Sequence, residues 1–511
     1  MILRGANGAN DGEPAAAGPS GPTLDDLFRR AAVHDPNALA LYDPPNRESF
    51  TDGAPRRLTY AQADRAISAL AAKFCRAGLQ ADTLVAVQLP NTVEAVITLL
   101  AILRAGMIAV PMPVLWRQKE LLAALRPLGV KAIVTASRIG AVKAADLAVE
   151  VGAELFPIRF ICGFGENLPD GVLPLDDVFE TQSAPTVPRT MRGGQASQHT
   201  AVVTVDVTAS GLVPVARNHS ELISGGLALA YEIGVGPHMA ILAAIPPSSF
   251  AGLATVLVPW LFGGGSLSLH HGFDAVAFAR QTRAFVNTSI NTAILPGPAL
   301  GALAAAGHLD GLKNLVALWR SPEQLGSSPA WRGQARLADV SCFGELGVIV
   351  APRDADGIAS ELPHGPVGAP HDIETARSKT GTLMLRGAMV PQAAFPPGVE
   401  SGQGPYLAVD KDGFVETGFT CKVDDALQKL TISGPPGGIA VMGGYRFRTR
   451  DVETLVSLAD PTATIVALPG GLLAERLAGS AMDNAEVAAH VLRNGGNALI
   501  AGAFRPRGVA A

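Results

Sequence analysis

The chain has 511 residues, of which 48% are hydrophobic and 17% are charged. This length is too great for one hydrophobic core, so we expect two or more domains. The high apolar content excludes a globally disordered chain. The net charge is -5 and no run of lysine or arginine occurs, which argues against a nucleic-acid partner.

The cysteines and the N-terminal residues indicate the class of protein and its compartment. The four cysteines lie far apart, at positions 75, 162, 342 and 421, and fit no metal motif or disulfide framework. We therefore expect small buried or partly buried residues in a reduced, cytoplasmic protein. Glycine, alanine and proline dominate residues 5–22, so residues 1–22 are predicted to be a flexible tail rather than a signal peptide.

Helices and strands alternate from residue 58 onwards. Thr59 and Gln62 form a capping-box pattern, and Gly78 stands where such a helix would end. The apolar segments that follow predict strand 84–87, helix 92–105, strand 107–110, helix 118–125 and strand 132–134. This alternation is typical of a doubly wound parallel sheet, and its continuous apolar strands indicate a sheet covered on both faces.

The same alternation recurs later and predicts a second doubly wound unit. Its elements are strand 201–207, helix 221–230, strand 239–244, helix 253–261, strand 266–269, helix 275–285 and strand 292–295. The segments shorten between residues 340 and 430, which predicts a small β-rich region, and residues 435–511 are predicted to form a small α+β domain. The uncharged run 233–273 is interrupted by prolines and glycines, which favours a buried strand-helix-strand core over a transmembrane helix.

Residues 204–219 form the most informative motif, although the motif by itself is weak. Hydroxyl residues and a glycine follow a predicted strand and precede a predicted helix. Such a turn can present backbone N–H groups and hydroxyls to phosphates, but an ordinary polar turn explains the pattern as well. His270 and His271 are adjacent in a strand, so their side chains point to opposite faces and are not expected to share a metal.

The order of motifs from residue 58 to about 460 resembles the adenylate-forming (ANL) superfamily, especially the acyl- and aryl-CoA synthetases. The matching segments are 58–60, 85–91, 105–112, 246–253, 365–370, 383–387, 412–418, 434–445 and 451–453. The resemblance implies an α/β fold with an AMP-binding N-terminal domain over 23–434. That domain would contain two doubly wound units and a small β-rich region. A shortened C-terminal domain over 435–511 would follow.

The resemblance also assigns a vestigial nucleotide site and a substrate pocket to particular residues. The nucleotide positions are Thr208, Ser210, Gly211, Phe343 and Gly344, with Phe419 and Pro435 at the two ribose-binding positions. The pocket for the acid would lie around Ser249, Phe250 and Gly252.

Several residues that carry the family's chemistry are replaced in this chain. Val215 stands at the phosphate-loop lysine, Gly347 at the magnesium-binding glutamate, and Ser249 at a histidine. No lysine corresponds to the one that stabilises the adenylation transition state in the family. No catalytic residue is therefore assigned, and no metal ligand. Glu345 and Arg217 are the candidate partial substitutes for the lost glutamate and lysine.

Three hypotheses follow for function. The first is an acyl-CoA synthetase-like protein with impaired or lost adenylation, which binds a carboxylic acid, an acyl-CoA or a partner protein. The second is a working acid–CoA ligase with a divergent nucleotide site, and the third is a non-catalytic subunit. By resemblance the cofactors would be ATP with Mg²⁺, together with CoA. The partners would be a small carboxylic acid or acyl-CoA, and a homo- or hetero-oligomer is compatible with the sequence.

Overall fold

The computed structural model describes residues 21–188, 193–286, 290–402, 404–470 and 474–504. Residues 1–20 of the predicted tail lie outside this part of the chain. The helices within it are α1 Leu24–His34, α2 Tyr60–Arg76, α3 Val93–Arg104, α4 Gln118–Leu125, α5 Ala144–Glu154, α6 His219–Glu232, α7 Phe250–Gly252, α8 Val258–Gly263, α9 Ala275–Val286, α10 Leu300–Ala305, α11 Thr449–Ser457, α12 Asn484–Arg493 and α13 Ala498–Gly502.

The strands of the first half are short and mostly buried. They are β1 Leu39–Tyr42, β2 Arg57–Thr59, β3 Leu84–Gln88, β4 Ile108–Pro111, β5 Ala132–Ala136, β6 Phe160–Phe164, β7 Leu173–Pro174, β8 Thr200–Thr208, β9 Gly211–Asn218, β10 Ala240–Ala243, β11 Ser266–Leu269 and β12 Ile290–Pro296.

The remaining strands follow in the second half of the chain. They are β13 Asn314–Trp319, β14 Arg336–Phe343, β15 Gly347–Pro352, β16 Leu362–Pro363, β17 Gly365–Val367, β18 Ile373–Arg377, β19 Thr382–Gly387, β20 Val415–Asp424, β21 Lys429–Gly434, β22 Ile439–Met442, β23 Tyr445–Arg448, β24 Thr464–Gly470 and β25 Ala474–Ser480.

The first sheet has the order β7-β6-β5-β3-β4-β8-β9 and is parallel except for the β8–β9 hairpin. Every residue of β3, β4 and β5 is buried. Apolar residues occupy both faces of these strands, so the sheet is stable only when both faces are covered. The predicted capping box forms, because the Thr59 side chain accepts from the N–H of Gln62 at the start of α2.

The second sheet has the order β15-β14-β13-β12-β10-β11-β1-β2. Its inner strands are parallel, whereas β15 and β2 join antiparallel at the two ends. The fold therefore confirms two doubly wound units. The sequence did not predict that β1, which precedes the first unit in the chain, would pair with β11 of the second.

A six-stranded antiparallel sheet, with the order β16-β21-β20-β19-β18-β17, confirms the predicted β-rich region. Beyond it, α11, α12 and α13 pack with the β24–β25 hairpin around their own apolar cluster, which includes Val456, Val491 and Phe504. The numerical domain limits given above stay predictions.

The uncharged run 233–273 forms β10, β11 and the broken helix between them. A π-helical stretch, Leu253–Leu257, separates α7 from α8, and Gly264 ends α8 in the left-handed conformation. Among the described residues, no helix is long and apolar enough to cross a membrane.

Helix α6 packs against this broken helix through two glycines. A Cβ atom on Gly225 would lie 2.5 Å from the Phe250 ring, and one on Gly226 would lie 2.6 Å from the Ala254 carbonyl oxygen. The absence of side chains at these positions lets the two helices approach closely. At its N-terminus, α6 has a capping box formed by Asn218 and Glu221.

We predict that Gly226→Ala lowers the free energy of unfolding by about 1–3 kcal/mol, because the added methyl overpacks the contact between the helices. Gly301 in α10 is the matched control, since a Cβ there would meet nothing within 4 Å. Gly301→Ala should be neutral or stabilising by up to ~1 kcal/mol, as alanine is the better helix former. Urea unfolding of both variants measures this difference, and equal losses would contradict the packing argument.

Glu221 generates a prediction about pH. Burial raises the pKa of its carboxyl to about 7, while the N–H of Asn218 donates to the carboxylate over 2.8 Å. The folded state therefore retains a proton that the unfolded state has lost between about pH 4.5 and 7, so stability falls as pH rises through this window. We predict that Glu221→Gln, which keeps an acceptor oxygen, is more stable than the wild type at pH 8 by on the order of 3 kcal/mol.

This gain should vanish below about pH 4.5, because there the Glu221 carboxyl is protonated in both the folded and the unfolded state. Denaturant unfolding across the pH range measures the effect. The same change at Glu150, an exposed residue of α5, is the control and should produce little gain at pH 8. A gain at Glu221 that does not depend on pH would contradict the proposed role of the buried carboxyl.

Candidate functional site

The predicted phosphate loop is a tight β-hairpin turn. Thr208 pairs with Gly211 across the turn, and the strand β9 stands between this turn and α6. The sequence motif was expected to lead directly into a helix, so the intervening strand is a correction. The hydroxyls of Thr208 and Ser210 lie 2.9 Å apart, and Thr208 also donates to the Gly211 carbonyl. These groups therefore satisfy one another locally, as in an ordinary polar turn.

The aromatic position of the predicted nucleotide site lies at the end of β14. Phe343 is fully buried and meets the edge of Phe419, with ring centroids 5.6 Å apart and an interplanar angle of 88°. Phe419 lies on β20 and is also completely buried. These two residues of the predicted nucleotide site thus pack against each other as part of the apolar core.

The other ribose position, Pro435, is exposed at the start of the linker after β21. Its neighbour Pro436 is buried and packs near Gly418. Pro435 offers no side-chain hydrogen-bond donor or acceptor, so this position cannot hold a ribose hydroxyl through its side chain.

A buried ion pair occupies the space beside the turn of Gly344. Asp206 on β8 accepts a hydrogen bond from Arg446 on β23, and the two side chains are 5% and 9% exposed. Gly344 has φ +60°, and a Cβ atom there would lie 2.5 Å from the Arg446 Nη1 and 2.6 Å from an Asp206 carboxylate oxygen. Glycine is therefore required here both by the left-handed backbone and by the ion pair. Asp206 lies within the motif 204–219, whereas no pattern in the sequence identified Arg446.

Arg217, the candidate substitute for the lost lysine, is almost fully buried. Its guanidinium donates to the carbonyl oxygens of Met389, Glu345 and Leu346 at 3.1, 2.6 and 2.9 Å. The guanidinium carbon also lies 3.6 Å from the centre of the Phe250 ring. Burial lowers the pKa of Arg217 to about 10, so the group stays charged near neutrality. The structure thus places this cation in a structural network within the core.

Glu345, the candidate substitute for the magnesium ligand, faces the predicted substrate pocket. Its carboxylate accepts from the N–H of Phe250 over 2.6 Å, and burial raises its pKa while Arg320 opposes that shift. Ser249 accepts from Arg320 over 2.6 Å and caps α7 through the N–H of Gly252. Glu345 and the three predicted pocket residues therefore come together, but in a closely packed layer in which all four are buried.

The two adjacent histidines are engaged separately. His270 bonds to Gln281 through Nδ1 at 2.8 Å and accepts from the N–H of Asp274 through Nε2. His271 accepts from the N–H of Asn91, and burial lowers its pKa to about 4. Within the described residues, no group of three or more histidine, cysteine, aspartate or glutamate side chains could hold a metal ion.

These residues do not fit a magnesium–triphosphate group. Val215, at the lysine position, is 1% exposed and belongs to the main apolar cluster. Phe419 fills the position of a ribose-binding carboxylate, and Asp206 presents a negative charge that Arg446 already neutralises. A highly charged ligand needs donors or cations that are free to bind it. Here Arg446 already pairs with Asp206 and Arg217 already donates to three carbonyl oxygens, and of the buried nitrogens of these two groups only Arg217 Nη1 and Arg446 Nε lack a partner.

A cavity of about 1120 Å³ lies elsewhere, between α10, the loop 328–335 and the end of β24. None of the predicted site residues lines it, and its walls include Trp319 and Trp331. No motif in the sequence identified this cavity, because its walls come from segments that carry no recognisable chemical pattern.

Comparison with known proteins identifies the superfamily. The family model described as "AMP-binding enzyme" matches residues 28–162. The medium-chain fatty-acid–CoA ligase of Escherichia coli is 24% identical over 84% of this chain and 77% of its own length. The 2-hydroxy-7-methoxy-5-methyl-1-naphthoate–CoA ligase of Streptomyces carzinostaticus is 25% identical over 89% of this chain and 83% of its own length.

A shorter match and a solved structure add to this result. The beauvericin nonribosomal cyclodepsipeptide synthetase of Gibberella fujikuroi is 33% identical over 96 residues, and the match spans 19% of this chain and 3% of that protein. The amide bond synthetase McbA from Marinactinospora thermotolerans has the same fold, with a TM-score of 0.70 and 17% identity over 93% of this chain and 94% of its own. Together with the motifs in the sequence, these matches show that the chain is similar in sequence and fold to the AMP-binding, adenylate-forming (ANL) superfamily.

Proposed function

We propose that this protein is an acyl-CoA synthetase-like member of the superfamily that no longer forms acyl adenylates. The observation that supports the proposal is the packing of protein side chains at the predicted nucleotide positions, a region that we call the cleft. Phe343 packs on Phe419, and Asp206, within the motif 204–219, pairs with Arg446 beside Gly344.

The physical argument concerns charge. Adenylation joins a carboxylate to the α-phosphate of ATP and expels pyrophosphate, so the enzyme must neutralise and position several negative groups. Removing one such stabilising group from an enzyme costs on the order of 10²–10³ in rate. Here valine and glycine stand at the lysine and glutamate positions, Val215 and Gly347.

The alternative of a working acid–CoA ligase requires Arg217 and Glu345 to act as substitutes. Arg217 already donates to three carbonyl oxygens, and Glu345 already accepts from the Phe250 N–H. Either role in catalysis would require these buried contacts to be exchanged for contacts with the nucleotide. The packing therefore favours loss of adenylation over a divergent working site.

ATP–pyrophosphate exchange tests the proposal directly. The acids to supply are medium-chain fatty acids and hydroxynaphthoic acids, because the two relatives that match over most of their length are named as ligases of these classes. We expect exchange at the background of a heat-inactivated sample and no rise in Tm with Mg-ATP. Acid-dependent exchange above that background would favour the working-ligase hypothesis instead.

We further predict that returning the family residues does not restore nucleotide binding. Val215→Lys and Phe419→Asp each place a charge at a fully buried apolar position, and Phe419→Asp should cost on the order of 3–5 kcal/mol. Gly347→Glu forces its side chain against Leu385, since a Cβ atom at residue 347 would lie 3.0 Å from a methyl carbon of that leucine. Pro435→Arg is at an exposed position and should change stability by less than about 0.5 kcal/mol.

Thermal-shift titration with Mg-ATP measures the outcome for each single variant and for the combination. Phe419→Leu, which keeps an apolar side chain, is the matched control and should cost less than Phe419→Asp. A combined variant that folds and shows an ATP-dependent rise in Tm would mean that an open cleft survives, contrary to the proposal.

A further inference from the structure

The segment that follows β21 has an apolar core of its own. Val456, Val491 and Phe504 belong to a cluster that is separate from the clusters of the two large sheets. The connection to the rest of the chain is the short linker 435–438, which contains two prolines and ends in two exposed glycines. Glycine can adopt many backbone conformations. We therefore expect that the linker alone does not hold this segment in one position.

The β22–β23 hairpin provides the contact that holds this segment against the rest of the chain. Ile439 on β22 belongs to the same apolar cluster as Val205 and Val207 of β8. Arg446 on β23 extends to Asp206 of β8, 240 residues earlier in the chain. The hairpin therefore shares an apolar cluster with the first sheet and is linked to it by a buried ion pair.

Within the described residues Asp206 is the only carboxylate that forms an ion pair with Arg446, although Glu323 also interacts electrostatically with Arg446, and Arg217 with Asp206. The Arg446 Nε is buried and has no hydrogen-bond partner, and its guanidinium carbon lies 5.7 Å from the centre of the Phe419 ring. A buried guanidinium with one carboxylate partner depends strongly on that partner, because losing it leaves an uncompensated charge away from water.

We propose that the Asp206–Arg446 pair is an internal clamp. The Asp206 carboxylate takes the place of a bound anion, and through Arg446 it holds the β22–β23 hairpin, and with it residues 449–504, on the cleft. This inference rests on the proposed loss of adenylation, because it explains how the cleft stays closed without a nucleotide. Gly344 makes the clamp possible, since any side chain there would displace the ion pair.

Hydrogen–deuterium exchange of the full chain, without nucleotide, tests the clamp. In Asp206→Asn and in Arg446→Gln, we expect the amides of residues 439–448 to exchange at least about tenfold faster than in the wild type. In the double variant no charge is left unpaired. The increase in the exchange rate of residues 439–448 should therefore be smaller than in either single variant. Unchanged exchange in both single variants, or summed increases in the double variant, would overturn the proposal.

A second buried ion pair provides the matched control. Arg353 and Asp339 are 3% and 2% exposed, with N and O atoms 2.8 Å apart. Asp339 is on β14 of the second sheet, and Arg353 directly follows β15. Asp339→Asn should lower Tm but leave exchange at residues 439–448 at the wild-type rate. If Asp339→Asn accelerates exchange there as much as Asp206→Asn does, the effect is general destabilisation and the clamp is excluded. ATP–pyrophosphate exchange by the wild type is measured separately, so failure of the proposed function is distinguishable from failure of the clamp.

Discussion

The need to pair every charge that is removed from water governs the cleft of this protein. Asp206 and Arg446 neutralise each other, Arg217 is held by three carbonyl oxygens and an aromatic ring, and Glu345 accepts from a backbone amide. Each of these groups would be costly to bury alone. The protein supplies these partners itself, and of the buried nitrogens of the two guanidinium groups only Arg217 Nη1 and Arg446 Nε stay without a hydrogen-bond partner.

The same residues that close the cleft also connect its parts. Gly344 belongs to the turn between β14 and β15, Asp206 to the first sheet, and Arg446 to the terminal segment, so the ion pair joins three regions of the chain. Phe343 and Phe419 form an apolar contact beside it. The chain therefore keeps a fold that it shares with solved adenylation enzymes, while side chains of the protein itself pack together at the predicted nucleotide positions.

Much of the fold was predictable from local patterns. Tertiary packing did not override three local patterns of the sequence. They are the capping box at Thr59, the continuous apolar strands β3 to β5, and the recurring alternation of strands and helices after residue 200. Two features were not predictable in this way. The sequence of strand β9 resembles that of a loop, because proline and polar residues interrupt its apolar pattern. Strand β1 pairs with β11, which lies more than 200 residues away in the chain.

By itself the sequence determined the resemblance to the superfamily, the two doubly wound units and which residues stand at the motif positions. Motifs, periodicity and residue identity are properties of short segments. Only the tertiary structure decided what replaced those groups. Residue identity alone does not reveal that Phe419 packs on Phe343, that Arg217 turns to backbone carbonyls, or that Asp206 meets Arg446. These contacts join residues that are distant in the chain, and which partner a buried charge or ring finds depends on the packing of the whole molecule.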